Sequence, residues 1–207
     1  MTRKKLIRQN SFPYHVTMRT NNKDWFQIPM CDVWDICKQS LKYAIAKNSV
    51  VIHSFVLMGN HYHLLLTTPN EDIDKFMQSF NLNLSRLITK KSGVINHKFS
   101  NRYKWTIVAE QNYLLNVYRY IYQNPVRAGI AVNCFSYPYS SLHFTSYESK
   151  LFNHYTHIDY AQEKLWLERN YGDDFNQIIK NALTKETFKT TTRVSKYFQT
   201  ALQNPRI

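Results

Sequence analysis

The sequence of 207 residues has no run approaching the roughly 18 consecutive apolar residues that a membrane-spanning helix requires. Its basic N-terminal segment leads into no apolar signal segment, so we expect a cytoplasmic protein. The three cysteines, Cys31, Cys37 and Cys134, form no Cys-x-x-Cys pair, which argues against a zinc knuckle and a disulfide framework. Internal repeats and low-complexity tracts are also missing. The length fits one domain with at most an appendage.

Acidic residues are scarce, and this scarcity shapes the expected partner. The 14 Asp and Glu residues face 27 Lys and Arg residues, for a net charge of +13, and 15% of the chain is aromatic. Basic side chains neutralise phosphates and aromatic faces stack on unpaired bases, so this composition favours single-stranded nucleic acid over a rigid duplex. The alternative is that the aromatic residues fill the core and the lysines keep the protein soluble.

The apolar pattern predicts a short series of strands and helices. Alternating or continuous β-branched and apolar residues predict strands at 14–20, 50–58, 61–68 and around 103–110. Apolar residues at helical spacing predict helices at 33–45, from Ile73 to Ile88 with an end at Lys90, Lys91 and Gly93, and at about 111–123. Gly59 and Asn60 tolerate positive φ and predict a two-residue hairpin turn. Pro125 disfavours helical geometry at Asn124 and predicts the end of the third helix.

This order of elements predicts the fold class. Strand, helix, strand, strand, helix, strand, helix fits an α+β, ferredoxin-like sandwich, in which an antiparallel sheet carries helices on one face. We assign residues 1–150 to this domain. Residues 151–207 are more polar and weakly helical, and we expect them to form a mainly helical C-terminal extension or tail.

Two histidines stand one residue apart at the start of the predicted third strand. Alternate strand residues share a face, so His61 and His63 should point to one side and Tyr62 to the other. Two neutral imidazoles at this spacing can bind one cation without distortion of the backbone. The tripeptide alone is also compatible with surface or hydrogen-bonded histidines.

The predicted third helix carries a polar row beside its apolar stripe. Asn116, Tyr120 and Asn124 lie at i, i+4 and i+8 and share one face. Tyr122 is a rival to Tyr120 as a reactive tyrosine, but it lies about 200° away around the helix. A purely structural role, with tyrosines as amphipathic packing residues and Asn124 as a helix-end residue, also fits this pattern.

Three ordered motifs carry a family resemblance. "YHVTMRTNN", "FVLMGNHYHLLL" and "YRYIYQNPVRAG" together resemble the single-tyrosine transposases of the HUH superfamily, most of all the REP-associated tyrosine transposases, which are domesticated relatives of small bacterial insertion-sequence transposases. The resemblance runs from about residue 3 to residue 142. Gly59 stands where many relatives have proline, and Tyr62 occupies the variable position between the histidines.

The resemblance implies a site and a reaction. His61 and His63 match the metal-binding pair, Tyr120 matches the nucleophile, and Asn124 matches a third metal ligand, which is glutamine in some members. The implied reaction is cleavage and transfer of single-stranded DNA beside a hairpin, through a 5′-phosphotyrosine and a free 3′-hydroxyl. The implied cofactor is Mg²⁺ or Mn²⁺, and manganese fits two imidazoles and an amide oxygen better. Candidates for a general base are His15, His53 and a metal-bound water.

Further expectations concern DNA contacts and assembly. Tyr14, Trp25, Phe99 and Trp105 are candidates for base stacking, with core packing as the competing interpretation. We favour a monomer, with a dimer as the alternative, and expect association with the nucleoid. Two other functions stay open: a non-catalytic hairpin-DNA-binding protein of the same fold, and a metal phosphodiesterase that uses water. The candidate phosphate contacts are Arg3, Lys4, Lys5, Arg8, Arg19, Arg102 and Arg127.

Overall fold

A computed structural model describes residues 5–93, 99, 102–190 and 196–204 of the chain. Four strands form one antiparallel sheet in the order β2-β3-β1-β4. The predicted α+β class and antiparallel sheet are therefore confirmed, and each strand falls inside a predicted segment. The strands are β1 (Tyr14–Arg19), β2 (Val51–Met58), β3 (His61–Thr67) and β4 (Lys104–Ile107).

One face of the sheet is covered by two long helices, α1 (Met30–Ile45) and α2 (Ile73–Ser92). Alternate strand residues such as Val16 and Leu64 are fully buried in a core that also contains apolar residues of both helices. Helix α2 ends as predicted, because Gly93 adopts a left-handed conformation with φ 69° and its amide donates to the Thr89 carbonyl. These two helices form the helical layer that was predicted on one face of the sheet.

The opposite face carries helix α3 (Gln111–Tyr122). Val56 and Leu65 of the sheet share a second apolar core with Val117 and Ile121 of this helix. Helix α3 stops at Tyr122, and after Gln123 the chain makes one more helical turn, α4 (Asn124–Arg127), with Pro125 in its first turn. A proline is tolerated there because the first amides of a helix have no partner within it. The predicted fold has helices on one face of the sheet, and α3 adds a helical layer on the opposite face.

The chain after α4 covers an edge of the sheet and then helix α3. Residues 139–155 bond to the edge strand β2, where the Leu57 amide donates to the Tyr139 carbonyl and the Ile52 amide to the Asn153 carbonyl. Farther on, Phe175 and Leu202 enter the core around α3. The remaining elements are α5 (Ser146–Leu151), α6 (Tyr160–Glu168), α7 (Asp173–Ala182), α8 (Lys196–Gln203) and three 3-10 turns at Asn21–Lys23, Cys134–Ser136 and Ser141–His143.

The described helices differ in length. Helix α2 is the longest of them, at 20 residues. Within the ranges given above, none of the helices combines the length and the apolar character that crossing a membrane would require.

Candidate active site

The two histidines of β3 project toward the side of the sheet that α3 covers. The ring centroids of His61 and His63 lie 5.2 Å apart. Tyr62 points to the other face, where its ring is fully buried and its hydroxyl donates to Asn81 Oδ1 at 2.6 Å. The predicted alternation along this strand is confirmed, and both imidazoles face the same space.

The tautomer of His61 follows from its neighbour in the hairpin turn. Asn60 Nδ2 donates to the Lys23 carbonyl at 2.7 Å, so its Oδ1 is turned toward His61 Nδ1, also at 2.7 Å. An amide oxygen can only accept, and His61 Nδ1 therefore carries the proton. This leaves the lone pair on Nε2, the arrangement that metal-binding histidines commonly have.

His63 is held by a third histidine. His15 of β1 places Nε2 3.0 Å from His63 Nδ1, and the two rings stack at a centroid distance of 5.3 Å. Burial lowers the pKa of His15 to about 3 and the pKa of His61 to about 4, and it holds the pKa of His63 well below its usual value. The three imidazoles are neutral at pH 7, which is the state that binds metals.

Tyr120 of α3 lies over this group. Its ring centroid is 6.3 Å from that of His63, in an edge-to-face arrangement, and the residue is 8% exposed. Burial raises the pKa of Tyr120, while the nearby Arg127 guanidinium acts in the opposite direction. The phenol is therefore protonated at pH 7. The rival, Tyr122, is buried elsewhere, with its hydroxyl 2.7 Å from Ser141 Oγ.

Asn124 is fixed in orientation beside the tyrosine. Its Nδ2 donates to the carbonyls of Tyr120 and Ile121, each at 3.1 Å. Its Oδ1 accepts from Arg127 at 2.8 Å, and the same guanidinium lies 3.9 Å from the centroid of the Tyr120 ring. An amide oxygen has two lone pairs, so this bond leaves one for a further partner.

The side chains present fit a divalent cation with few protein ligands. In the described ranges, no group of three or more His, Cys, Asp or Glu side chains is arranged to hold a metal. The neutral nitrogens of His61 and His63 are ligand types that such a cation accepts, and Asn124 Oδ1, the predicted third ligand, already accepts from Arg127. Mixed nitrogen and oxygen ligands of this kind suit manganese.

The candidate phosphate contacts are in different situations. Arg8 is already paired with Asp74, through bonds of 2.8 and 3.1 Å. Arg127 is partly buried on Tyr120, as described above. Lys5, Arg19 and Arg102 are exposed, and Arg19 lies near enough to His61 to contribute to its lowered pKa. Arg3 and Lys4 lie outside the described residues.

The candidates for a general base do not contact the tyrosine. His15 is bonded to His63. His53 belongs to a separate group, with Nε2 2.8 Å from Thr67 Oγ1 and Nδ1 3.1 Å from His157 Nε2. Burial lowers the pKa of His53 to about 3. Both rings are poor proton acceptors for the phenol.

Two arginines, one next to Tyr120 in the chain and one stacked on its ring, contact residues 171–176, and no sequence pattern predicted these contacts. Asn176 of α7 accepts a long bond of 3.4 Å from Arg127. Arg119 of α3 is buried, with its guanidinium 4.1 Å from the Tyr171 ring centroid and 5.6 Å from that of Phe175. The alternation of β1 fixes only the face on which His15 lies, and its pairing with His63 depends on the register of β1 against β3. The bonds from the extension likewise leave no pattern in the sequence.

The sheet brings the histidine pair of β3 and the tyrosine of α3 together on one face. The chain belongs to the family of IS200-like transposases, whose family model matches residues 8–124. The resemblance identified from the three motifs is thereby confirmed. No curated protein sequence matches the chain significantly.

One solved structure shows the same fold. A REP-associated tyrosine transposase bound to a REP hairpin is similar, with a TM-score of 0.59 and 16% identity, over 69% of this chain and 84% of that one. A crystal structure described as a candidate transposase from Deinococcus radiodurans R1 has a TM-score of 0.40 and 18% identity, over 58% of this chain and 94% of that one. At this identity the first likeness shows the fold alone.

Proposed function

We propose that this protein cleaves single-stranded DNA and transfers the strand, through a covalent bond to Tyr120 and with a divalent cation at His61 and His63. The observation that carries this proposal is the position of Tyr120, whose ring contacts His63 on the face where both imidazoles meet. A reactive hydroxyl and two neutral nitrogen ligands in one place are the parts that a phosphoryl transfer requires.

The cation site would consist of His61 Nε2, His63 Nε2 and Asn124 Oδ1. Asn60 Oδ1 accepts from His61 Nδ1, which leaves the lone pair of His61 on Nε2. We take His63 Nδ1 to donate to His15 Nε2 in the same way, so that the lone pair of His63 is also on Nε2. When bound, Mg²⁺ or Mn²⁺ would supply Lewis acidity at a phosphate oxygen and help to place the scissile bond.

The covalent step is a displacement at phosphorus. The Tyr120 oxygen forms a bond to the phosphorus, the bond from phosphorus to the 3′ oxygen breaks, and the leaving strand takes up a proton as its 3′-hydroxyl. The phenol proton passes to water, since neither His15 nor His53 contacts the tyrosine. The number of phosphodiester-type bonds is conserved, and the reverse attack by a 3′-hydroxyl can therefore rejoin strands without a nucleotide cofactor.

Arg127 is the basic residue that we place at the reacting phosphate. Its guanidinium lies 3.9 Å from the Tyr120 ring centroid and bonds to Asn124 Oδ1. A planar guanidinium can stack on the ring and still donate to phosphate oxygens with its remaining N–H groups. Arg127 would thus hold the tyrosine and the phosphate together.

The proposed substrate is single-stranded DNA, with a hairpin next to the cleavage site. Its support is the net charge of +13, the exposed Lys5, Arg19 and Arg102, and the family membership. Arg8 would have to exchange Asp74 for a phosphate, so we expect it to contribute less than Lys5, Arg19 and Arg102. We further propose that residues 151–207 act as an extension, of which the described helices α6, α7 and α8 pack on α3, and that the protein works as a monomer.

A denaturing gel tests this proposal. The protein is incubated with Mn²⁺ and a hairpin oligonucleotide. The label is on the part of the oligonucleotide that lies 3′ of the expected cleavage site. We expect a labelled band that migrates with the protein and is lost in Tyr120→Phe. Tyr122→Phe is the matched control, because it removes a phenol two residues away and should keep the band.

Three other results would contradict the proposal. Free DNA fragments that persist in Tyr120→Phe would indicate a phosphodiesterase that uses water. Binding of the hairpin without any cleavage would indicate a non-catalytic DNA-binding protein. A covalent band that disappears in Tyr122→Phe and persists in Tyr120→Phe would show that Tyr122, and not Tyr120, is the nucleophile.

A further inference from the structure

Trp25 differs from the other three tryptophans of the chain. It is 69% exposed, whereas Trp34, Trp105 and Trp166 are exposed by 8% or less. Of the four aromatic residues that the sequence offered for base stacking, Tyr14 and Trp105 are buried and Phe99 packs against the core. Trp25 alone of these four presents most of its ring to the surface. A single exposed apolar residue is common, so its surroundings decide what it means.

The ring of Trp25 rests on the hairpin turn beside the candidate site. A Cβ atom at Gly59 would lie 2.6 Å from Trp25 Cζ3 and 2.8 Å from Cε3, so the ring edge occupies the space that a side chain would need. Gly59 does not have a positive φ, and neither does Asn60. The predicted turn is present, but the predicted reason for its glycine is wrong: the glycine is required by the close approach of the tryptophan.

The loop that carries Trp25 is tied to the same turn. The Thr20 amide donates to the Asn60 carbonyl at 2.9 Å, and Asn60 Nδ2 donates to the Lys23 carbonyl at 2.7 Å. Asn22, Lys23 and Gln27 have positive φ values of 54°, 62° and 62°. Such conformations are uncommon for these residues and persist where the surrounding contacts maintain them. The tryptophan is therefore held in a defined place.

Asn60 also connects this loop to the metal-binding pair. The same side chain that donates to Lys23 accepts from His61 Nδ1. The exposed cations Arg19 and Lys23 flank the loop. An exposed aromatic ring that rests on the turn before His61, in a loop that also carries an exposed lysine, offers what a nucleotide of an unpaired strand needs: a surface for its base and a charge for its phosphate.

We propose that Trp25 stacks on an unpaired base of the DNA strand close to the phosphate that Tyr120 attacks, with Arg19 and Lys23 on the neighbouring phosphates. This assignment depends on the proposed function, because it requires single-stranded DNA at the histidine pair. Stacking of one base on an aromatic side chain corresponds to about a 5- to 150-fold difference in affinity.

Tryptophan fluorescence gives a direct test, because Trp25 is the one tryptophan of the four that water reaches freely. The probe is a DNA hairpin with a single-stranded thymidine extension, added without metal so that no cleavage occurs. We expect the solvent-exposed part of the emission to be quenched and to become protected from acrylamide. In Trp25→Phe this signal should be lost while binding, followed by fluorescence anisotropy of labelled DNA, is retained.

Affinity measurements complete the test. Trp25→Ala should bind the same hairpin about 5- to 150-fold more weakly, with an unchanged unfolding midpoint because the side chain is exposed. Tyr147→Ala is the matched control: Tyr147 is 70% exposed on α5, and its removal should leave the affinity unchanged.

Two outcomes would overturn the inference, and they can be told apart. If wild-type protein binds DNA and forms the covalent band, but Trp25 emission is unperturbed and Trp25→Ala binds normally, only the role of Trp25 is refuted. If wild-type protein does not bind the hairpin at all, the role of Trp25 and the proposed function are both refuted.

Discussion

The two faces of the sheet are made of alternate residues from the same strands, yet they differ in chemistry. The face under α1 and α2 presents apolar side chains that are completely buried, among them Val16, Tyr62 and Leu64. The face under α3 presents His15 and His63, whose rings are bonded to each other. The first face can supply most of the stabilising burial, and the second can therefore hold polar groups that a well-packed core would exclude.

The largest expected difference between the faces is one of activity. His63→Ala removes a proposed metal ligand and should lower formation of the covalent DNA product by more than about 100-fold, since loss of a mere supporting partner already costs 10- to 100-fold at metal sites. The measurement is the rate of the covalent band at fixed Mn²⁺. A variant that cleaves within a few fold of wild type would remove His63 from the site.

The neighbouring residue should give the opposite result. Leu64→Ala creates a cavity on the apolar face and should lower the free energy of unfolding by about 2–5 kcal/mol. Denaturant titration measures this loss, and the folded fraction of the variant should still form the covalent product. A stable Leu64→Ala protein without cleavage would show that the two faces are not separate in function.

A smaller effect is expected for the partner of the metal-binding pair. His15→Phe keeps a ring of similar shape but removes the nitrogen that contacts His63 Nδ1 at 3.0 Å. We expect the Mn²⁺ concentration that gives half-maximal cleavage to rise about 10- to 100-fold, with most of the rate recovered at saturating metal. His53→Phe is the control, because that ring lies with Thr67 and His157. Equal metal dependence in His15→Phe and wild type would contradict a supporting role.

The buried histidines should make the free energy of unfolding decrease gradually as the pH falls. Unfolded histidines bind a proton near pH 6.5, whereas burial lowers the pKa of His15 and of His53 to about 3. Between these values the unfolded state binds more protons, so the free energy of unfolding decreases as the pH falls below 6.5. Each histidine contributes up to about 1.4 kcal/mol per pH unit.

Denaturant titrations at several pH values measure this slope. His53→Phe should show a shallower dependence than wild type between pH 6.5 and pH 4, because one of the buried imidazoles is gone. A slope that is unchanged in this variant would show that His53 does not contribute to the acid sensitivity of the fold.

Local sequence patterns predicted much of the difference between the two faces. Alternation placed His61 and His63 on one side and Tyr62 on the other, because side-chain direction in a strand depends only on its period of two. Helical spacing and Gly93 likewise predicted α2 and its end. These features depend on neighbours within a few residues, which the sequence displays directly.

Contacts between distant segments were not predictable in the same way. The stacking of His15 on His63 depends on the register of β1 against β3, and the bond from Arg127 to Asn176 depends on how α4 and α7 pack. Gly59 illustrates the limit: its type suggested a positive φ, while its actual constraint is the ring of Trp25, 34 residues earlier.

The most direct measurement of the central claim is the position of the DNA on the protein. Wild-type protein that has reacted with the hairpin in the presence of Mn²⁺ is digested with protease and nuclease, and the modified peptide is sequenced by mass spectrometry. We expect a 5′-linked nucleotide on Tyr120, formed only with metal and absent from the His63→Ala protein. A nucleotide on another residue, or on Tyr120 without any need for metal or His63, would contradict the account.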